Sequence, residues 1–412
     1  MNGTQGLVEA LSKTKTKRFK VKHPKRKLFR CNDPLLSVFM WGVNHTVREL
    51  QHIHVPVMLM PDDFRSFSKI TIKNHAYNKE NLPSNFKVKE YCPLVFRNLR
   101  ERFGIDDRDF LKSLTMPPRP INPLRGGANY YLSADRLYVI KTLSTEEVEE
   151  MHHFLKQYHP YIVDRHAKTL LPQYLALYRL TVDSVESYMV VIRNVFSAHL
   201  KVHKKYDLKG SRVDREASDK EREKSCPTLK DNDFLADGVK ISIGEEGKEA
   251  LMETLGADVD FLSKLNITGY SLLVGIHDMD RALEDALEAG AEEEEDEEEY
   301  DSTGSGAMAL TPPESPNTRR KASPSSLLVS QTSRIDPNLD IYAIPSRAGT
   351  VSGQQHIYFL SIMDVLTHYG IKKAAAKAAK TVKYGSEVDG ISTAEPDQYS
   401  RRFLAFVNDA IE

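Results

Sequence analysis

Cysteine is scarce in this chain. Cys31, Cys92 and Cys226 are scattered over 412 positions, odd in number and without a C-x-x-C pair. That excludes a disulfide framework and a zinc knuckle, and it fits a reducing compartment. Long apolar runs are missing too. No stretch of about 18 apolar residues exists to span a bilayer, and no apolar signal-peptide core opens the chain. The expected setting is the cytoplasm or the nucleus, with membrane contact only peripheral. Internal repeats are absent. Basic residues are absent from 284–301, where twelve acids fall together. Taking those twelve charges from a chain of net −1 leaves the remainder at +11, so a basic body carries one acidic block. A basic body calls for an anionic partner: nucleic acid, phospholipid or a phosphorylated metabolite. With no aromatic-interleaved basic stretch and no base-reading motif, nucleic acid ranks below lipid.

What is present supports a real core, since 40% of residues are hydrophobic. The length suits one large bilobal domain or two ordinary ones. Residues 1–30 read as a basic arm without its own fold, with ten Lys or Arg and no acid between Lys13 and Arg30. Asp33-Pro34 is a helix start. Residues 55–60 read as a strand, followed by short strands within 64–72 and 86–89. Residues 137–143 alternate as a strand ending close to Lys141. Val148, Met151, Phe154, Leu155, Tyr158 and Ile162 keep helical spacing. Residues 188–195 are a strand, 251–265 a helix, 357–363 a buried strand and 403–411 a closing helix. Residues 282–338 break this pattern with acids, then Ser, Thr, Gly and Pro. Such a segment buries too little apolar surface to offset chain entropy, and it is expected as a disordered insert in one fold. Thr311 and Ser315 precede prolines and Ser323 follows Arg-Arg-Lys, so phosphorylation and unmodified linker are both open readings.

Several patterns carry chemistry. Leu124-Arg125-Gly126-Gly127-Ala128-Asn129 precedes two strand-like runs, the second holding Lys141. Glycines let backbone amides approach a phosphate, and a strand lysine can neutralise it. A hairpin turn is the commoner origin of Gly-Gly. Lys373, Lys377 and Lys380 share one helical face, which suits an anionic surface or simply water.

The run Tyr206-Asp207-Leu208-Lys209-Gly210-Ser211, then Arg215-Glu216-Ala217-Ser218-Asp219-Lys220, then residues 227–234 (PTLKDNDF), is similar to the signature of phosphatidylinositol phosphate kinases. Residues 96–106 (FRNLRERFGID) and 169–180 (TLLPQYLALYRL) resemble the same family. Residues 56–64 (PVMLMPDDF) and 380–383 (KTVK) resemble its type II branch, the phosphatidylinositol 5-phosphate 4-kinases. The resemblance covers roughly residues 27–281 and 338–412.

The resemblance implies an α+β, kinase-like bilobal fold with antiparallel sheets in both lobes. Its N-terminal lobe would be 31–200, its C-terminal lobe 201–281 plus 339–412, and its activation segment 370–396. It implies ATP, or GTP, with Mg2+. Lys141 would hold phosphates and pair with Glu150. Gly127 and Ala128 would cover the phosphates, although Gly126 stands where the family has Ser and Asn129 where it has Arg. Arg193, Asn194, Val195 and Phe196 would form the hinge beside the purine. Asp364 would hold the metal. Lys209, Arg215, Lys220 and Lys224, with Lys373, Lys377 and Lys380 of the activation segment, would serve the phosphoinositide and the anionic membrane. A flat basic face would pair as a homodimer, with residues 55–60 as the dimer strand, or as a heterodimer with an active relative.

A further departure falls in the catalytic loop. Residues 266–278 (NITGYSLLVGIHD) resemble the family's MDYSLLVGIHD, whose Asp is the catalytic-loop base; here it is Gly269, after Thr268 in place of Met. Two functions follow. One is a phosphatidylinositol 5-phosphate 4-kinase of strongly reduced turnover, since loss of general-base help costs on the order of 10²–10⁴-fold. The other is a non-catalytic phosphoinositide-binding scaffold, a pseudokinase acting through dimerisation.

Overall fold

The computed structural model describes residues 29–73, 75, 79–121, 128–298, 334–347, 355–367 and 394–412. Asp33 is extended, and its carboxylate accepts the Leu35 N–H at 2.9 Å. Pro34 takes the first turn, where no N–H is needed, and starts α1 (Pro34–Gln51), which buries Leu36, Phe39, Met40, Val43 and Val47.

The N-terminal sheet is built from β1 (Phe67–Ile72), β2 (Phe86–Tyr91), β3 (Arg119–Ile121), β4 (Tyr130–Leu132), β5 (Tyr138–Leu143), β6 (Tyr174–Val182) and β7 (Val185–Arg193). Its order is β1-β2-β6-β7-β5-β4-β3, antiparallel throughout. Asp183 and Ser184 join β6 to β7 with φ of 49° and 66°, the left-handed pair that matches the twist of a two-residue hairpin. Helices α2 (Pro93–Arg102), α3 (Asp107–Leu114) and α4 (Thr145–Asp164) belong to this half. The expected α4 stripe, from Val148 through Ile162, is buried as its spacing requires.

The C-terminal half has β8 (Lys204–Leu208), α5 (Asp219–Arg222), β9 (Thr228–Lys230), α6 (Asp231–Ala236), α7 (Gly244–Lys264), β10 (Ser271–Asp278), α8 (Met279–Glu298), β11 (Ala343–Pro345), β12 (His356–Met363) and α9 (Pro396–Ala410). The sheet order is β11-β12-β10-β8-β9. Gly275 on β10 has a packing reason: a Cβ there would stand 2.5 Å from the Phe196 ring. Among the described residues, no helix is long and apolar enough to cross a membrane.

The C-terminal sheet is antiparallel as expected except at its edge, where β9 runs parallel to β8. Two expectations need correction. Residues 55–60 do not form a strand. Pro56 and Pro61 remove ladder donors, and although Leu59 packs on the core, Val57 is fully exposed and Met58 70% exposed. Order also reaches far into the acidic block. Asp278 accepts the N–H groups of Asp280 and Arg281 and so caps α8, which continues to Glu298. Lys201 and His203 hold Asp285 on its second turn, at 2.5 and 3.5 Å. Local capping and these contacts outweigh the composition that pointed to disorder from 282. Residues 1–28, Gly127, the sites Thr311, Ser315 and Ser323, and most of the expected activation segment with Lys373, Lys377 and Lys380 lie outside the described residues.

Candidate functional site

A cavity of about 420 Å³ opens between the sheets, with Tyr130, Lys141 and Glu147 on one side, residues 193–196 at the back, and Lys205, Glu221, Lys224 and Asp364 opposite. Lys141 sits on β5 between β4 and β7, opposite Tyr130 and Val190. Its ammonium is 2.9 Å from Glu147 Oε1. Burial works to lower its pKa, but Tyr130, Glu147 and Asp364 outweigh that and hold it above the ordinary lysine value. The ammonium is therefore charged at neutral pH.

Glu147, not Glu150, is the partner. Glu147 is the third residue of α4 and completes a capping box: Ser144 Oγ accepts the Glu147 N–H at 3.2 Å, and Glu147 Oε2 accepts the Ser144 N–H at 2.9 Å. The helix terminus thus fixes one carboxylate oxygen and leaves Oε1 for Lys141. Glu150, one turn on, faces a separate hollow with His153, Phe154 and Leu265. The signal was present in the sequence, because Ser144 and Glu147 have capping-box spacing.

At the back, the Asn194 N–H donates to Leu137 O at 2.8 Å and Asn194 Nδ2 donates to Arg136 O at 2.8 Å. Arg193, Val195 and Phe196 line the cavity, and the Arg193 guanidinium donates to the backbone carbonyls of Phe103 and Leu339. Ala128 is half-buried, and its neighbour Asn129 is held by Thr142 through both backbone groups.

Asp364 follows β12 with φ 62°, a left-handed turn that Asp tolerates, and is pinned by fully buried Val365. It is exposed into the cavity. Among the described residues no group of three or more His, Cys, Asp or Glu could hold a metal unaided. One carboxylate facing a charged lysine fits Mg2+, which is usually shared between a carboxylate or two and substrate phosphates.

The acceptor side differs from expectation. Arg215 does not face the cavity. It is buried, with Nε 2.6 Å from Asp231 Oδ2 and a second nitrogen 3.4 Å from Asp207 Oδ1. Asp231 also accepts the N–H groups of Lys209, Gly210 and Ser211, so this pair folds the Lys-Gly-Ser turn. Lys220 is exposed on α5. Lys224 Nζ pairs with Glu221 at 2.7 Å and lines the cavity, beside Lys205 and Cys226. Sequence reading missed Lys205, yet period two along β8 puts Lys205, Asp207 and Lys209 on the face opposite buried Tyr206 and Leu208.

Lys209 Nζ donates to Gly269 O at 2.6 Å. Gly269 has φ 85°, a conformation that side-chain-bearing residues rarely adopt. Thr268 before it and Tyr270 after it are fully buried. Asp278, the next acid along the strand, is at the far end of β10, about 23 Å from Ser271 at ~3.3 Å per residue, and is occupied in capping α8.

A sheet-borne lysine paired to a helix glutamate, across a cleft from a strand-end aspartate, is the layout of a kinase-like phosphotransferase body. The chain belongs to the family described as phosphatidylinositol-4-phosphate 5-kinase, whose pattern matches residues 119–410. It is 54% identical over 407 residues to phosphatidylinositol 5-phosphate 4-kinase type-2 alpha of Homo sapiens, covering 98% of both chains. The Gallus gallus alpha protein matches equally, at 54% over 407 residues. The type-2 beta protein of Homo sapiens is 53% identical over 398 residues, 94% of this chain and 92% of that one.

Proposed function

We propose that this protein is a phosphoinositide kinase of the phosphatidylinositol 5-phosphate 4-kinase kind, whose turnover is strongly reduced by Gly269. ATP, or GTP, would occupy the cavity with its phosphates at Lys141. Mg2+ would neutralise charge on the transferring phosphoryl group from a position held by Asp364. Lys205 and Lys224 would add positive charge at the opposite wall. The acceptor would be the inositol 4-hydroxyl of phosphatidylinositol 5-phosphate, presented near Lys209. The observation that carries the reading is the coexistence of the Lys141–Glu147 pair with glycine at 269. Phosphoryl transfer depends mainly on positioning and electrostatics, so the retained half supports binding and slow transfer. With no carboxylate at 269 the acceptor hydroxyl keeps its proton for longer.

Glycine at 269 also favours a second reading, a phosphoinositide-binding scaffold at an anionic membrane. The exposed Val57 and Met58 give it a surface on which a second copy, or an active relative, would pair.

A lipid kinase assay on phosphatidylinositol 5-phosphate separates the two. The natural chain is compared with the double variant Thr268→Met/Gly269→Asp, which restores the neighbouring apolar anchor along with the carboxylate. We expect a rise of about 10²–10⁴-fold in turnover. An equal rate in both proteins would remove position 269 from the mechanism; no rate in either would favour the scaffold.

A further inference from the structure

The chain on both sides of the acidic insert is fastened to one short segment, residues 193–203, which begins as the back wall of the cavity. On the departing side, Lys201 and His203 hold Asp285 of α8. On the returning side, residues 336–340 form a turn closed twice. The Asp340 N–H donates to Asp336 O at 2.7 Å, and the Asp336 N–H donates to Asp340 Oδ2 at 2.9 Å. This turn aims the carbonyls of Asn338 and Leu339 at Arg193, whose guanidinium donates to both. His199 Nε2 contacts Arg334 O at 3.0 Å and stands 3.6 Å from Asp340 Oδ2. Asp340 is only 4% exposed.

The apolar packing follows the same path. Val195, Leu200, Tyr342, Ile357 and Phe359 make a small core separate from the main one. Leu273 and Met363 pack on it and also line the cavity. The returning segment thus adds Tyr342 to the core on which Leu273 and Met363 rest, and supplies the acceptors that hold the back wall.

We propose that Asp340 is a positioning residue of the nucleotide site. By closing the 336–340 turn it holds two carbonyls on Arg193, and Arg193 in turn fixes the backbone of 193–196 against which the purine lies. This rests on reading the cavity as a nucleotide site. Coupling of this kind is reciprocal, so a bound nucleotide must also steady the turn, although it does not touch it.

The test uses the full chain and Asp340→Asn, which keeps the size of the side chain and removes its charge. Three quantities are read: affinity for a fluorescent ATP analogue, thermal unfolding, and amide hydrogen exchange. We expect affinity to fall about two- to thirty-fold. Exchange at 194–197 should quicken in the variant even without nucleotide, and ATP should slow exchange over 334–343 in the natural chain. A folded variant with unchanged affinity and unchanged exchange at 194–197 overturns the proposal. If the natural chain takes up no nucleotide, the reading of the cavity fails separately. The ligand-free exchange at 194–197 still decides the role of Asp340: faster supports it, and unchanged overturns it. If Asp340→Asn does not fold, His199→Gln gives the same readouts with a smaller shift, and no shift there is equally fatal.

Discussion

The Lys141 wall of the cavity and the Gly269 loop are built differently. On the Lys141 side each charged group is held by another: the lysine by Glu147, the glutamate by the start of α4, the strand by neighbours on both edges. On the acceptor side the loop that should bring a carboxylate brings a left-handed glycine, and the nearby Lys209 settles on a backbone carbonyl. The scaffold around that loop is nevertheless intact. Tyr270 is packed edge-on against Tyr399 and Phe403, and Arg215 is locked between Asp207 and Asp231. The glycine at 269 is therefore not accompanied by any loss of packing around its loop. In phosphoryl transfer, binding and proton removal are physically separable duties, and the proposed reading assigns only the second to a single side chain.

Four substitutions sharpen that contrast. The largest effect is expected from Lys141→Met, which removes the buried cation. ATP affinity, measured by equilibrium binding, should fall on the order of 10²-fold, the worth of a charge-assisted contact of this kind. If affinity held, the intact wall would be no binding wall. Next, Glu147→Gln should weaken ATP binding about tenfold by freeing the ammonium, while Glu150→Gln should leave it unchanged. The reverse ranking would restore the pairing expected from the sequence.

A separate effect, on stability rather than on binding, concerns Asp258 of α7, the helix that leads into the Gly269 loop. Its carboxylate accepts from Tyr161 Oη and Thr169 Oγ1 at 2.7 Å each and from the Leu170 N–H at 2.6 Å. Burial nonetheless pushes its pKa up to about 6 from 3.8. A carboxyl with a raised folded-state value binds its proton more tightly in the fold. Its contribution to stability is present in full below about pH 4 and is lost as pH rises through about 6. Two units correspond to ~3 kcal/mol. Asp258→Asn should remove that slope from denaturant-unfolding curves taken between pH 4 and 7; a slope that survives would assign it to another group.

Much of the fold was legible because its signals are local. The α4 stripe and the alternation along 137–143 depend only on spacing, and Asp33-Pro34 caps its own helix. The misses are of another kind. Residues 55–60 are apolar enough for a core strand, but whether anything covers them is decided by the rest of the chain, and among the described residues only Leu59 packs on the core while Val57 and Met58 stay exposed. Arg215 reads as one more cation in a charged run until β9 places Asp231 beside Asp207. The acidic helix depends on Asp278 as its cap and on distant Lys201 and His203. At the site, Lys141 and Asp364 were recognisable by resemblance, whereas Lys205 needed the direction of its strand. Glu147 was within reach of a local rule that resemblance displaced.

Glu147 gives its two oxygens to two different masters. A phosphate can therefore meet the Lys141 ammonium while Oε1 still steadies it and Oε2 stays at the head of α4. One side chain ties the cation to the first turn of the helix, so a shift of that turn would carry the cation with it.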